Sequence, residues 1–354
     1  MHITQKLAAS HADGHPTYSF EYFPPKTPQG VQNLYARMGR MNSLGPAFID
    51  ITWGAGGSGS SLTCEMVKVA QSEYGLETCM HLTCTDMGIE MITDALQKAY
   101  EAGCTNILAL RGDPPKEKDS WEQTDSTAFR YARDLIKFIK SKYDDYFDIG
   151  VAGYPEGCDD GTTADAHIPY LKEKIDAGGT FIVTQMCYDA ERFITWARKV
   201  RESGIPDHVP IIPGIMPIQN FDSFLRRAKW TNARIPPEWL EKLEPIKGDD
   251  AAVREAGKDL IAGFCRKLLN SGVTKHLHFY TMNLAASTQM VLEELAVTPT
   301  HGSPTESEPK PKYVVCSGTQ QDTQTIDGGK ITSNNVETVP APAVSSVTAG
   351  TGGP

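Results

Sequence analysis

The stretch NILALRG (106–112) decides how this chain folds. Its apolar residues are consecutive, whereas a strand with one face in water alternates apolar and polar residues. FIVTQM (181–186) has nearly the same character. Runs of this kind are typical of parallel strands covered on both faces, so we predict a parallel sheet buried inside the protein.

Eight short β-rich runs recur along the chain, each bounded by glycine, proline or polar residues. They are YSFEYF (18–23), FIDITW (48–53), TCMHLTC (78–84), NILALRG (106–112), DIGVAGY (148–154), FIVTQMCY (181–188), PIIPGIMPI (210–218) and HLHFYTMN (276–283). The stretches between them have helical periodicity; Val31, Leu34, Met38 and Met41, for example, share one helix face. The last and longest gap has room for two helices around the break at 235–237.

Eight alternations of strand and helix predict an α/β fold, a closed (β/α)8 TIM barrel. An open doubly wound sheet is the alternative, but no G-x-G-x-x-G follows the first strand to support it. We expect residues 1–16 to be an N-terminal extension and residues 17–297 to form the barrel. Residues 298–354 are rich in Gly, Pro, Ser and Thr, which predicts a disordered tail or the remnant of a linker.

Composition excludes several classes of function. A net charge of −10 would repel a phosphate backbone, so we expect no nucleic-acid partner. The sequence has neither an apolar run of membrane-spanning length nor a signal-peptide core, so we expect a cytoplasmic protein without a membrane partner. The eight cysteines form no C-x-x-C pair, as expected of free thiols in a reducing compartment.

Polar residues concentrate at the C-terminal ends of the predicted strands, where a barrel carries its active site. Glu21 is the most informative of them, because Phe20, Tyr22 and Phe23 flank it. Loss of solvation would favour its protonated form, which suits a general acid near neutral pH. The alternative is a structural glutamate that pairs with a buried cation.

The other motifs have structural explanations that compete with functional ones. The triplet 111–113 could form a structural Arg–Asp pair, and the glycine-rich run 54–59 lacks the ending of a phosphate loop. We expect His276 and His278 to face opposite sides of the last strand as core histidines. No group of carboxylates and histidines has metal-ligand spacing, so we predict no metal.

Taken together and in this order, the motifs resemble methylenetetrahydrofolate reductase. The matching strings are SFEYFPPKT (19–27), DITWGAGG (50–57), HLTC (81–84), NILALRGDPP (106–115), AGYPEG (152–157), FIVTQM (181–186), PIIPGIMPI (210–218) and LHFYTMN (277–283). The resemblance covers residues 17–297, is most specific in FEYFPP followed by ALRGDPP, and is greatest to the eukaryotic, fungal branch.

The resemblance implies a barrel that binds FAD and takes hydride from NADPH or NADH. It implies ping-pong reduction of 5,10-methylenetetrahydrofolate to 5-methyltetrahydrofolate, an oxidoreductase step that supplies methionine synthesis. Glu21 would protonate N10 of the folate, and flavin N5 would deliver hydride to the opened ring. Family members are oligomers, so a homo-oligomer is expected as an alternative to a monomer.

The resemblance also implies individual roles. Asp113 would act in catalysis and contact both flavin and folate, Glu21 and Gln185 would contact the folate, and Arg111 and Lys174 would supply positive charge for the cofactor phosphates. The implied flavin contacts are Thr52, His81, Leu110, Arg111, Gly112, Asp113, Tyr131, Ala132, Tyr154 and Lys174. Asp165, with His167 second, is the best candidate for the family's acidic flavin contact.

The sequence departs from the family pattern in three places. Cys158 stands where a histidine is usual, and Leu284 stands where bacterial relatives carry arginine. The regulatory domain of eukaryotic members is expected to be missing after the linker-like tail. A non-catalytic or regulatory paralogue of the same barrel is therefore an alternative to an active reductase. Another FAD barrel, of the proline dehydrogenase type, is a second alternative.

Overall fold

Eight parallel strands form a closed barrel in which each strand pairs with the next along the chain and the last pairs with the first. The computed structural model describes residues 1–12, 14–54, 57–112, 128–158 and 161–297, together with three short strands beyond them. The barrel strands are β1 (Thr17–Tyr22), β2 (Phe48–Ile51), β3 (Thr78–Thr83), β4 (Asn106–Leu110), β5 (Asp148–Gly153), β6 (Phe181–Met186), β7 (Ile211–Ile215) and β8 (His276–Tyr280). The predicted TIM barrel is confirmed.

Amphipathic helices surround the barrel, and each buries its apolar face. They are α2 (Pro28–Asn42), α3 (Ser60–Tyr74), α4 (Ile89–Glu101), α5 (Ala132–Tyr143), α6 (Ala164–Asp176), α7 (Ala190–Glu202), α8 (Phe221–Trp230), α9 (Pro237–Leu243), α10 (Asp250–Asn270) and α11 (Ala286–Leu295). Val31, Leu34, Met38 and Met41 are buried on α2, as their spacing predicts. Among the described residues, no helix combines the length and apolarity needed to cross a membrane.

The helices begin where the sequence supplies capping groups. Thr27 caps α2, where its hydroxyl accepts from the Gly30 amide, and Pro28 occupies the first turn. Asp189 caps α7 by accepting from two backbone amides. The long segment between β7 and β8 forms α8, α9, a short 3-10 helix (Glu244–Ile246) and α10. Pro237 begins α9, so the predicted break between helices is confirmed.

An additional helix, α1 (Ile3–Ala12), packs at the N-terminal end of the barrel. Ile3 and Leu7 are fully buried against an apolar cluster that includes Phe48 and Phe181. Two amides at the start of the helix, which have no partner within the helix, donate to side chains of the barrel. Ile3 N donates to Asn106 Oδ1 at 2.8 Å, and Thr4 N donates to Asp148 Oδ2 at 2.8 Å. The predicted N-terminal extension therefore contains a helix that is part of the barrel core.

Residues 301–354 form a separate unit. Three short strands are described there: β9 (Val314–Cys316), β10 (Thr323–Asp327) and β11 (Lys330–Ile331), in an antiparallel sheet with β10 in the middle. The sequence predicted no regular structure for these strands. The rest of the predicted disordered tail lies outside the described residues.

We expect Leu7→Ala to destabilise the barrel by about 2–5 kcal/mol, because the substitution removes most of a fully buried side chain and leaves a cavity in its place. Urea unfolding monitored by circular dichroism would measure the change. The control is Gln5→Ala on the exposed side of α1, expected to change stability by less than about 0.5 kcal/mol. Equal effects of the two substitutions would show that α1 contributes nothing through its buried face.

Candidate active site

The register of the barrel sets three polar side chains side by side near its C-terminal end. Glu21 of β1 is level with Asp50 of β2 on one side and with Tyr280 of β8 on the other. Because alternate residues of a strand point to the same side, the residues two positions earlier form the layer beneath. That lower layer includes Ser19, level with His278.

Glu21 and Asp50 share their surroundings with two imidazoles. His81 Nε2 lies 3.8 Å from Glu21 Oε2 and forms a 3.2 Å hydrogen bond with Asp50 Oδ2. His278 Nε2 lies 3.9 Å from Glu21 Oε2 and 3.7 Å from Asp50 Oδ2. The Asp50 side chain is fully buried, whereas that of Glu21 is 18% exposed. Glu21 is therefore the carboxylate that a ligand at the mouth can reach.

The pKa of His81 results from opposing effects. Burial disfavours the imidazolium, but the hydrogen bond to Asp50 and the charges of Asp50 and Glu21 outweigh burial and raise the pKa. Tyr280 behaves differently, because burial first, and then the charges of Glu21 and Asp50, raise its pKa well above the ordinary value. Its hydroxyl stays protonated and donates to the Thr184 carbonyl at 2.7 Å.

The expectation that His276 and His278 face opposite sides of β8 is wrong. Both imidazoles contact the Ser19 hydroxyl, at 2.8 and 2.7 Å, and both stack on the Phe48 ring. Residues two apart on a strand share a side, so both histidines lie inside the barrel. They are core histidines as expected, but His278 also faces Glu21 and Asp50.

At the end of β4, the side chain of Arg111 leaves the barrel and reaches the start of α5. Its guanidinium lies 5.2 Å from the centre of the Tyr131 ring, and Tyr131 precedes Ala132, the first residue of α5. Gly112 has a φ of +93°, and a Cβ there would meet the Thr83 side chain at 2.8 Å, so glycine is required. Asp113 lies outside the described residues, and its predicted roles stay predictions.

The residues predicted on β5 and α6 divide into two groups. Tyr154, His167 and Lys174 lie together: the rings of Tyr154 and His167 are 5.2 Å apart, and Lys174 Nζ is 5.8 Å from the Tyr154 ring. Asp165 instead forms a 2.6 Å ion pair with Lys199 of α7 at the exposed surface. The geometry thus groups His167, the second candidate for the acidic contact, with the other predicted flavin contacts.

Lys174 is half-buried beside the Tyr154 ring. Burial lowers its pKa to about 8, and its ammonium donates to the Ala152 carbonyl at 2.6 Å. The ammonium has two further protons that a cofactor phosphate could accept.

The remaining predicted positions are half-buried at strand ends. Thr52 follows β2, where its amide donates to the Tyr22 carbonyl at 2.9 Å. Leu110 ends β4 and packs on the apolar cluster beneath. Gln185 lies on β6, and its side-chain oxygen accepts from the Met186 amide at 2.9 Å.

A metal ion is one group that this arrangement could accommodate. One ligand atom from each of Glu21, Asp50 and His81 lies within 4.8 Å of the others. The hydrogen bond between His81 and Asp50 accounts for part of this spacing without an ion. The expectation of no metal site stays a prediction.

Asp50 and His278 are the functional candidates that the sequence reasoning missed. Asp50 has the same parity in FIDITW as Phe48 and Thr52, and this places all three on one side of the strand. A carboxylate at such a position, between two isoleucines, is a signal that could have been used. His278 is two residues after His276, so both histidines lie on the same face of the last strand. Two histidines on one face indicate a polar barrel interior.

Fold and site define a parallel (β/α)8 barrel with an acid–base cluster at the C-terminal ends of its first, second, third and last strands. A profile of the family described as methylenetetrahydrofolate reductase matches residues 6–296. The chain belongs to this family.

Relatives agree with this assignment over the whole barrel. "Methylenetetrahydrofolate reductase 2" of Saccharomyces cerevisiae is 56% identical over 305 residues, which cover 85% of this chain and 50% of that protein. The "5,10-methylenetetrahydrofolate reductase" of Pectobacterium carotovorum is 33% identical over 297 residues and is covered to 95% of its length. The chain thus spans about half the length of the yeast relative and nearly all of the bacterial one.

A solved structure shows the same fold. It is a Clostridium thermocellum protein described as binding two copies of 5-methyl-5,6,7,8-tetrahydrofolic acid, and it superposes with a TM-score of 0.54 at 13% identity. The match covers 82% of this chain and 100% of that one. At this identity the likeness establishes the barrel fold alone.

We expect Asp50→Asn to lower the pKa of His81, because it removes the charge that outweighs burial. A raised pKa means that protonated His81 stabilises the wild-type fold below about pH 6.5, and this contribution is lost as pH rises through the raised value. The substitution should therefore weaken the stability advantage at low pH. NMR titration of His81 and urea unfolding across this pH range would measure both effects.

The control is Asp222→Asn at the exposed start of α8. It should leave the titration of His81 unchanged. A His81 pKa that stays constant or rises on substitution of Asp50 would contradict the assigned cause.

Proposed function

We propose that this barrel reduces 5,10-methylenetetrahydrofolate to 5-methyltetrahydrofolate, with NADPH or NADH as the source of hydride and FAD as the cofactor. The observation that carries the proposal is the position of Glu21, inside the barrel at its C-terminal end and accessible from the mouth. Family membership supports the reaction, and so does the match to a bacterial reductase of which the chain covers 95%.

Glu21 supplies the acid that this reaction needs. Protonation of folate N10 weakens its bond to the bridging carbon, which opens the five-membered ring and leaves a cationic carbon–nitrogen double bond ready to accept hydride. After giving up its proton, Glu21 is a carboxylate that lies between His81 and His278. The ring nitrogens of these histidines lie 3.8 and 3.9 Å from Glu21 Oε2. Imidazoles on both sides can stabilise this negative charge, whereas Asp50 keeps His81 oriented.

The residues at the mouth fit a long anionic cofactor with a planar ring. Thr52, His81 and 110–112 lie at the ends of three adjacent strands, and the start of α5 lies beside them through the contact of Arg111 with Tyr131. Arg111 and the N-terminal turn of α5 supply the positive charge that a pyrophosphate requires. The absence of a side chain at Gly112 lets the backbone approach a ring closely. When bound, FAD would supply the relay of hydride from the nicotinamide to the folate.

Recognition of the folate would also depend on residues at the C-terminal ends of the strands. Gln185, half-buried on β6, offers an amide for the hydrogen-bonding edge of the pterin. Because the two substrates would use one mouth in turn, the proposed scheme is ping-pong.

We expect Glu21→Gln to preserve reduction of bound flavin by NADPH or NADH and to slow the folate half-reaction by about 10²-fold or more, because glutamine cannot donate the proton. Anaerobic stopped-flow absorbance of the FAD-loaded protein would follow each half-reaction separately. Glu202→Gln, at the exposed end of α7, is the matched control and should behave as wild type.

Folate reduction at the wild-type rate in the Glu21 variant would show that Glu21 is not the general acid. Protein that stays colourless after incubation with FAD would instead overturn the cofactor proposal and favour a non-catalytic barrel.

A further inference from the structure

A line of hydrogen-bonding side chains runs through the barrel from its N-terminal end to His278, which faces Glu21. We call it the histidine line; its members are His11, Thr17, His276, Ser19 and His278. His11 Nε2 contacts Thr17 Oγ1 at 3.2 Å, and Thr17 Oγ1 contacts His276 Nδ1 at 2.7 Å. His276 Nε2 then contacts Ser19 Oγ at 2.8 Å, and Ser19 Oγ contacts His278 Nδ1 at 2.7 Å.

The upper end of the line faces negative charge. The His278 side chain is fully buried, and its Nε2 makes no hydrogen bond within the described residues. Two carboxylate oxygens face it, Asp50 Oδ2 at 3.7 Å and Glu21 Oε2 at 3.9 Å. A lone pair on Nε2 would be repelled by these carboxylates, whereas an N–H would be attracted. The surroundings therefore favour the tautomer of His278 with its proton on Nε2.

The proton count then fixes the direction of every bond below. With the proton on Nε2, Nδ1 of His278 is an acceptor, so the Ser19 hydroxyl must donate to it. A hydroxyl has one proton, so Ser19 Oγ must accept from His276 Nε2. His276 Nδ1 is then the acceptor for the Thr17 hydroxyl, and Thr17 accepts from His11 Nε2.

This ordering requires a neutral His276, and the structure supplies the cause. Burial, and then the nearby imidazoles of His278 and His11, lower the pKa of His276 well below its ordinary value. Phe48 also stacks on both inner imidazoles, with ring centres 5.0 Å from His276 and 6.2 Å from His278. The ring planes are thus packed in place, and the hydroxyls determine which nitrogen carries the proton.

We propose that Thr17, Ser19 and His276 are positioning residues that hold His278 with its Nε2–H directed at Glu21. This inference rests on the proposed role of Glu21 as the acid. Once Glu21 has given its proton to the folate, a small rotation of its carboxylate lets it accept a hydrogen bond from that N–H. A charge-assisted bond formed only after proton transfer favours the transfer itself.

The tautomer can be read directly, without substrate or cofactor. In the 354-residue chain labelled with 15N-histidine, two-bond proton–nitrogen correlations distinguish protonated from unprotonated ring nitrogens. The signals of His278 are assigned by their loss in His278→Gln. We expect protonated Nε2 and unprotonated Nδ1 for both His276 and His278. A proton on Nδ1 of His278, or on both of its nitrogens, would overturn the proposal.

Substitutions in the line test its effect on the reaction. Ser19→Ala removes the donor to His278, and we expect a mixture of His278 tautomers and a folate half-reaction about tenfold slower, with flavin reduction by NADPH or NADH unchanged. The control is Ser287→Ala, at a buried serine of α11, which should keep the wild-type rate. A Ser19 variant with the wild-type tautomer and rate would refute the positioning role.

A second pair of variants separates hydroxyl loss from damage to the fold. Thr17→Val removes the hydroxyl with little change of shape, whereas Thr17→Ser keeps it. We expect the valine variant to disturb the tautomer of His276 and the serine variant to preserve it; identical spectra would contradict the line. If Glu21→Gln leaves folate reduction intact while the expected tautomers are present, the role of Glu21 fails and the ordering of the line survives.

Discussion

The hydrogen bond between Asp50 and His81 is the interaction on which the mouth of this barrel depends. A fully buried carboxylate without partners would cost several kcal/mol, and an oppositely polarised group beside it reduces that cost. His81 supplies this group from β3 at 3.2 Å, and His278 faces the same oxygen from β8 at 3.7 Å. Side chains of β2, β3 and β8 thus meet inside the barrel, and Glu21 of β1 lies where they converge.

The interior of the barrel changes character along its axis. At the N-terminal end Phe48, Leu108, Phe181 and Ile212 form an apolar layer that α1 covers, and this layer holds the strands together. Nearer the mouth, the inward positions of β1, β2 and β3 carry Glu21, Asp50 and His81, and His278 of β8 lies beneath them, level with Ser19. A rigid apolar base below a polar layer keeps the acid–base groups in place, because packing and not solvent determines their rotamers.

The eight strands could be predicted because consecutive apolar residues in NILALRG and FIVTQM leave few alternatives to a buried parallel sheet. Glu21 stood out because three aromatic residues flank it. Asp50 did not, because Ile49 and Ile51 lie on one face of its strand and Phe48 shares the other face with Asp50. With apolar residues on both faces, the pattern does not reveal which face points inward. The contact of His278 with Glu21 joins the first and last strands, and it depends on barrel closure, which no local pattern encodes.

The buried carboxylates at the two ends of the barrel, Asp148 and Asp50, differ in how completely they are hydrogen-bonded. At the N-terminal end, Asp148 accepts from both Thr4 and Thr180, so its carboxylate is used on both oxygens. At the mouth, Asp50 Oδ1 and His278 Nε2 are buried without a hydrogen bond within the described residues. Buried polar atoms are rarely left so, since each costs about 1–3 kcal/mol. Such a cost beside Glu21 is expected where hydrogen-bonding capacity is held for a ligand or for a carboxylate that changes its charge.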